Sequence, residues 1–127
     1  MNAKKRGVDV QVIVDKYSVK VRSSLAKMVD AGIFVSVWDP GKGKKDKQAL
    51  MHNKFCVFGS EAVWTGSFNF TYRASRLHQE NVVVLRNKEI AAEFKKQFNN
   101  IKLRGCLPFS SYIMYHTHKP TKKHVKR

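Results

Sequence analysis

The chain has 127 residues, enough for one domain or one domain with a tail, and 43% of them are hydrophobic, enough for a buried core. It carries 25 Lys and Arg against 9 Asp and Glu, and this formal net charge of +16 indicates an anionic partner, either nucleic acid or an anionic membrane surface. No apolar run approaches the roughly 18 residues that a membrane-spanning helix needs.

The first elements form a predicted strand–helix–strand unit. Residues 8–14 alternate and then run apolar, as in a strand, and residues 19–31 carry apolar side chains at helical spacing before Gly32, a common helix stop. Residues 33–38 are again rich in β-forming side chains. Two strands joined through a helix by short links are typical of a parallel pair, so we expect a parallel sheet.

The basic segment 41–47 comes next. It is a poor match to a phosphate-binding P-loop, because it lacks the second Gly-Lys-Ser/Thr at the required spacing and does not run from a strand into a helix. A solvated loop beside an anionic substrate is the better interpretation.

The second half of the chain predicts more strands and a second helix. Residues 52–58 and 62–65 read as strands, and Gly59 between them suits a tight hairpin turn. Residues 81–86 are apolar on both faces and predict a buried strand. Residues 88–102 predict an amphipathic helix that covers the sheet.

The pattern dissolves after this helix. We therefore predict one folded domain over residues 1–104 and a flexible basic extension over residues 105–127. Cys56 lies in an apolar strand and is expected to be a buried thiol. Two Cys make no disulfide framework, which favours a reducing compartment, and no zinc-type Cys or His spacing is present. The basic N-terminus lacks the apolar core of a signal peptide, so a cytoplasmic location is favoured.

Polar residues recur two positions apart along the second half of the chain. His52 and Lys54 are so spaced on a predicted strand, Ser67 and Asn69 repeat the spacing, and Glu80 stands just before the next predicted strand. Residues i and i+2 of a strand point to the same face. We therefore expect these five side chains to converge at one site.

Such a set suits attack on a phosphodiester without a metal or a cofactor. His52 would attack the phosphorus, and water would clear the resulting phosphohistidine. Lys54 supplies a cation for the phosphate, and Ser67 and Asn69 can donate neutral hydrogen bonds to it. Glu80 would hydrogen-bond one ring nitrogen of His52 and so fix its tautomer.

One copy of this set lacks a general acid for the leaving oxygen. His78 lies too near the start of the predicted strand to be assigned that role. A second His52, from a twofold-related chain, is the simplest solution, because a twofold interface places identical groups face to face. We therefore expect a homodimer with a shared active site.

Three short motifs resemble those of a known family: His52-x-Lys54, Gly66-Ser67-x-Asn69 and Glu80-Asn81. Their order, with the last motif just before an apolar strand, is similar to the order of motifs in the phospholipase D superfamily. The likeness is greatest to its small members with one His-x-Lys motif per chain, the Nuc-type endonucleases and the Zucchini or mitochondrial cardiolipin hydrolase group. It covers roughly residues 3–102, including the strand–helix–strand lead-in.

The resemblance implies an α/β fold of the phospholipase D half-domain type, with a mixed sheet flanked by helices. It implies that His52 is the nucleophile in one subunit and the leaving-group acid in the other. Lys54 and Asn69 would bind phosphate, Ser67 would support the site, and Glu80 would orient His52. Metal independence and a homodimer are implied too. The chain begins where the family has completed a first strand, so we expect that strand to be missing.

Gly59 departs from the family pattern, which has an Asp five residues after the Lys. A Gly is natural in a hairpin turn, so we interpret the departure as structural. The alternative is that it impairs activity.

Three functions from different classes fit these observations. A metal-independent endonuclease is favoured by the charge, because counterion release would drive nucleic-acid binding. A phospholipase D that acts on an anionic lipid such as cardiolipin is the alternative, although no apolar surface helix is evident. The third is a decayed, non-catalytic nucleic-acid-binding member.

Aromatic residues surround the second motif. Trp64, Phe68 and Phe70 are expected to be core rather than base-stacking platforms. Tyr72 and Arg73, just past the site, are better candidates for contacting substrate.

Overall fold

The computed structural model describes residues 1–19, 24–41 and 49–117. It shows a mixed α/β protein with two three-stranded sheets and flanking helices. The chain divides into two compact units, one made of residues 1–49 with 105–127 and the other of residues 50–104.

The first unit opens with a strand–helix–strand motif. After a short helix α1 (Asn2–Lys5), strand β1 (Gln11–Asp15), helix α2 (Ser24–Asp30) and strand β2 (Phe34–Trp38) follow in order. Strands β1 and β2 are parallel, which confirms the predicted pairing. The start of the predicted helix, at residues 20–23, lies outside the described residues, as does almost all of the basic segment 41–47.

The core of the first unit lies on β2. Ile33, Val35 and Val37 are all buried, with Val37 fully inaccessible, and Phe109 packs into the same cluster. Val12 and Leu25 of the flanking elements pack against it, half-buried. Burial of such aliphatic and aromatic side chains is the main driving force for this packing.

The end of the chain differs from the predicted flexible extension. Residues Cys106–Pro108 form strand β6, which pairs antiparallel with β2, and Phe109–Thr117 form helix α5. Phe109 is only 8% exposed, and Tyr112 and Ile113 of the same helix pack against the core on β2, so apolar side chains of α5 anchor this segment. Residues 118–127 lie outside the described part of the chain.

The second unit is built on an antiparallel sheet. Strand β3 (Phe55–Phe58) pairs with β4 (Ala62–Gly66), and β4 pairs with β5 (Val82–Arg86). Gly59 has a φ of 59° in the β3–β4 turn, a left-handed conformation that suits glycine, and the predicted hairpin is confirmed.

Two helices complete this unit. Helix α3 (Tyr72–Leu77) is capped by Thr71, whose hydroxyl accepts a hydrogen bond from the Ala74 amide at 3.2 Å. Helix α4 (Lys88–Gly105) begins at Asn87, whose side chain accepts one from the Ile90 amide at 2.9 Å. The Phe94 ring of α4 meets Phe55 of β3 edge-on, with centroids 5.1 Å apart.

Two sequence-based expectations about this sheet are wrong. Strand β3 begins at Phe55, so His52 and Lys54 precede the strand instead of sharing one of its faces. Strand β5, the outer strand of its sheet, is not buried, since Val83 and Val84 are 54% and 57% exposed. Apolar side chains on both faces of a strand show that other elements can pack on both faces, but not that they do so.

Candidate active site

The antiparallel sheet brings all three motifs to one end. Phe55 at the start of β3 lies opposite Thr65 near the end of β4, and Gly66 at the end of β4 lies opposite Val82 at the start of β5. The motifs stand just before β3, just after β4 and just before β5. Antiparallel pairing therefore gathers them at the same edge, whichever face of a strand their side chains occupy.

The His-x-Lys motif occupies the segment that leads into β3. His52 is exposed and Lys54 is half-buried. The Lys54 Nζ donates a hydrogen bond to the His52 carbonyl oxygen at 2.9 Å, which leaves further ammonium N–H groups for a substrate. The Thr65 hydroxyl donates to the Lys54 carbonyl oxygen at 3.0 Å and fastens the motif to β4.

Ser67 is the centre of a hydrogen-bond network at the end of β4. Its backbone amide donates to the Asn81 carbonyl oxygen at 3.0 Å, and its Oγ accepts from the Asn81 amide at 3.1 Å. The same hydroxyl donates to Oε2 of Glu80. The second and third motifs are thus joined directly, and the single hydroxyl proton of Ser67 is engaged by a carboxylate.

The Glu80 carboxylate contacts two neighbouring residues, Ser67 and His78. Besides the bond from Ser67, its Oε1 lies 3.5 Å from Nδ1 of His78. The Glu80 side chain is 16% exposed and the His78 side chain 50%. In the described part of the chain, no hydrogen bond joins Glu80 to His52, so the predicted contact between them does not form within this single chain.

Gly66 makes the close approach of β4 to the third motif possible. A Cβ at this position would overlap the Asn81 carbonyl oxygen and would lie 2.7 Å from the Val82 Cα. Because real Cβ atoms do not come so close to backbone, only glycine allows the Ser67–Asn81 pairing.

Asn69 follows in an exposed loop. Its carbonyl oxygen accepts a hydrogen bond from the Thr71 amide at 2.7 Å, just ahead of α3, and its side chain is exposed. It lies two residues beyond Ser67, at the end of the sheet that carries the other motifs. This position leaves the Asn69 amide open to an incoming anion.

Gly59 lies at the opposite end of the sheet. Phe58 and Ala62 close the hairpin there, whereas Phe55 and Thr65 mark the end that carries the motifs. Four strand residues span roughly 13 Å. Replacing the family's Asp by Gly59 therefore removes no side chain from the motif end of this sheet.

Two residues of the network were not assigned a role from the sequence. Thr65 anchors Lys54 from the neighbouring strand, and no sequence pattern predicts a cross-strand bond of this kind. His78 had a signal, because it stands two residues before Glu80, and here its ring reaches that carboxylate.

The thiol of Cys56, on β3, is not a candidate nucleophile. Burial raises the pKa of the Cys56 thiol, so it stays protonated and weakly nucleophilic at neutral pH.

Over residues 1–19, 24–41 and 49–117, no three His, Cys, Asp or Glu side chains gather as a metal-ligand set. None of the helices in these ranges has the length and apolarity to cross a bilayer.

Comparison with known proteins places the chain in a family. The family model described as "Cardiolipin synthase, PLD-like domain" matches residues 1–102. A phospholipase D from Rickettsia felis is 33% identical over 104 residues, which cover 80% of this chain and 48% of the relative. A mitochondrial cardiolipin hydrolase from Chlamydomonas reinhardtii is 34% identical over 98 residues, 76% of this chain and 40% of the relative.

Solved structures agree with the fold. The phospholipase D family member Nuc from Salmonella typhimurium matches with a TM-score of 0.71 and 29% identity, over 85% of this chain and 68% of that one. NucT from Helicobacter pylori has the same TM-score at 20% identity and supports the fold alone. The chain spans about half the length of the curated relatives it matches. With its match over residues 1–102, the chain belongs to the phospholipase D superfamily and carries its phospholipase D-like domain.

Proposed function

We propose that this chain is a metal-independent phosphodiesterase that cleaves nucleic-acid phosphodiester bonds through a phosphohistidine intermediate. The observation that carries the proposal is the gathering of the three motifs at one end of the antiparallel sheet. The charge of +16 supports a polyanionic substrate, because each neutralised phosphate releases counterions.

The first step is attack on phosphorus by a ring nitrogen of His52. A P–N bond forms as the P–O bond to the leaving group breaks, and the leaving oxygen takes a proton from His52 of a second copy of the chain. Lys54 and Asn69 bind the non-bridging oxygens, where negative charge concentrates in the transition state.

The second step regenerates the enzyme. A water attacks the phosphorus, the P–N bond breaks, and the water's proton passes to the His52 of the second copy, which restores its starting state. The product leaves as a phosphomonoester, and both histidines are ready for another cycle.

Glu80 and Ser67 serve as supports in this scheme. The Ser67 hydroxyl bonds the Glu80 carboxylate and so holds it at the sheet end that carries His52. To orient the catalytic imidazole, Glu80 would exchange its His78 contact for His52, because no Glu80–His52 hydrogen bond forms among the described residues. Since the Ser67 proton is engaged there, phosphate binding falls to Lys54 and Asn69.

A lipid substrate is the second candidate. Relatives at 33% and 34% identity carry the names phospholipase D and mitochondrial cardiolipin hydrolase, and an anionic phospholipid also offers a phosphodiester to the same groups. A third candidate is a member that binds nucleic acid without cleaving it, which the departure at Gly59 motivates.

Cleavage assays in excess EDTA separate these functions. Single-stranded DNA, RNA and cardiolipin vesicles are offered to the full chain, and we expect nucleic-acid cleavage that persists with EDTA. His52→Ala abolishes it, whereas His116→Ala, an exposed histidine of the other unit, leaves it unchanged. Cleavage that EDTA stops would overturn the phosphohistidine mechanism. Turnover of cardiolipin alone would favour the phospholipase. Binding of nucleic acid without turnover would favour the third candidate.

Subunit mixing tests the shared site. When wild-type chain is exchanged with an excess of His52→Ala chain, most wild-type chains enter mixed dimers that hold one His52 and lack either nucleophile or acid. We expect the activity per wild-type chain to fall toward zero. Activity that does not respond to the excess, or a fully active monomer in sedimentation, contradicts a shared site.

A further inference from the structure

Large side chains stand exposed between the second and third motifs. Phe70 is 67% exposed and Tyr72 is 76% exposed, directly after Asn69 in the chain. Both rings are thus open to water close to the end of the sheet that carries the motifs. The sequence had placed Phe70 in the core, and the structure corrects this.

Contacts with neighbouring side chains hold the Phe70 ring and helix α3 in place. The Phe70 ring lies against Trp64, with centroids 5.1 Å apart, and meets Phe68 edge-on at 6.1 Å. Thr71 caps helix α3, and the helix is anchored by Ala74, which is 3% exposed. The exposed rings therefore sit on an ordered base, which lowers the entropy lost when a ligand binds them.

Cationic groups accompany the rings. The Arg76 guanidinium lies 5.8 Å from the centre of the Tyr72 ring, within the range of a cation–π contact. Arg73 is exposed on the same helix, and residues Tyr72–Leu77 contain no acidic side chain. Rings that offer a π-face next to fixed cations are the combination that binds bases and backbone of single-stranded nucleic acid.

We propose that Phe70, Tyr72 and Arg76, the α3 surface, bind single-stranded nucleic acid beside the scissile phosphate, with bases stacking on the rings and Arg76 facing the backbone. The inference rests on the proposed function, because it selects an unpaired strand as the substrate of that site. Duplex bases are stacked on one another and cannot offer their faces to Tyr72, so a paired substrate would bind this surface less well.

A lipid bilayer suits this surface less well. Helix α3 has only six residues, about one and a half turns, so it cannot lay an extended apolar face into a membrane interface. Stacking requires only one or two rings. The shortness of α3 and the exposed rings together thus favour a single strand over a membrane.

Binding of labelled oligonucleotides tests the proposal in the full chain. The His52→Ala background prevents cleavage, and fluorescence anisotropy gives the Kd for a single-stranded DNA, for its duplex and for an abasic strand of equal length. We expect Tyr72→Leu to weaken binding of the base-bearing single strand about tenfold, the loss of one stacked base. Tyr72→Phe keeps the ring and stays within about twofold.

The abasic strand identifies stacking. Tyr72→Leu should not change its Kd, since there are no bases to stack, and the salt dependence should stay constant because no charge is removed. Arg76→Gln should instead reduce the slope of log Kd against log salt by about one. Leu77→Ala, an exposed aliphatic residue on the same helix, is the matched control and should bind like the parent.

Other outcomes overturn the proposal. Equal losses on abasic and base-bearing strands would show that Tyr72 acts through folding. Weaker binding of cardiolipin vesicles with unchanged DNA binding would make this a membrane surface, and dissociation of a dimer by Tyr72→Leu would make it an interface. If the chain cleaves nothing yet Tyr72→Leu still loses base-dependent binding, the proposed function fails, and the α3 surface binds single strands without a catalytic site. If the chain cleaves nucleic acid and Tyr72→Leu leaves binding unchanged, the proposed function stands and this inference fails.

Discussion

The two units of the chain differ in where their polar groups lie. In the unit of residues 1–49 and 105–127, Val35 and Val37 of β2 are buried. Asp39, just after this strand, lies 3.3 Å from the Lys16 ammonium and 3.6 Å from the His116 ring. In the unit of residues 50–104, exposed polar side chains collect at one end of the sheet. Both units bury apolar side chains, Val63 and Ile101 among them in the second, but only the second carries the open edge with the three motifs.

The difference follows from sheet topology. Parallel β1 and β2 are separated by a helix, so their side chains can be covered from a crossover element. The antiparallel sheet is joined at one end by a hairpin and leaves the other end, with its loops, accessible. Chemistry is placed where loops meet a rigid sheet edge. Mutations in the two units should therefore separate stability from activity.

The largest expected effect is on the core of the first unit. Phe109→Ala leaves a cavity among Ile33, Val35 and Val37 and should lower the free energy of unfolding by about 3–5 kcal/mol. Denaturant unfolding monitored by circular dichroism measures it. The exposed Met114→Ala on the same helix is the control. A loss below about 1 kcal/mol would mean that α5 does not belong to this core.

Gly66→Ala should act on the site more than on the fold. The new Cβ cannot coexist with the Asn81 backbone, so the end of β4 must shift and carry Ser67 away from the third motif. A displacement of about 1 Å costs roughly 100-fold in rate, and we expect a loss of that order in kcat/KM. Steady-state cleavage measures it, and an unaltered rate would show that the edge tolerates movement.

Ser67→Ala should have a smaller effect on the same edge. It removes the hydrogen bond to the Glu80 carboxylate, and we expect about a tenfold loss of kcat. Combined with Glu80→Gln, the losses should be less than additive, because both variants break one interaction. Ser75→Ala, whose hydroxyl bonds the Tyr72 carbonyl of α3, is the matched control. Fully additive losses would mean that Ser67 and Glu80 act separately.

Gly59→Asp should have the smallest effect on activity. It restores the family's side chain at the turn, far from the motifs, so kcat/KM should stay within about twofold. The positive φ of 59° should make the variant less stable by about 1 kcal/mol. A gain of tenfold or more in cleavage would show instead that the departure at Gly59 impairs the enzyme.

Much of the fold could be predicted from the sequence. The hydrophobic period predicted β1, α2, β2, the β3–β4 hairpin and α4, because local patterns of burial determine each of them. The exposure of β5 could not be predicted, since side chains that can be buried on both faces do not tell whether anything covers them. Helix α5 was missed because the residues that anchor it, Phe109, Tyr112 and Ile113, pack on β2, which is distant in the chain.

The candidate site divides in the same way. The residue types and their order by themselves predict that His52, Lys54, Ser67, Asn69 and Glu80 form a phosphodiesterase-like set, because each supplies a different chemical function. Only the tertiary structure decided which of them touch. Ser67 bonds Glu80, Thr65 anchors Lys54 and His78 reaches Glu80, since strand register and the close approach at Gly66 bring together residues that are distant in the chain. Sequence spacing sets which groups are available, and pairing between strands sets their distances.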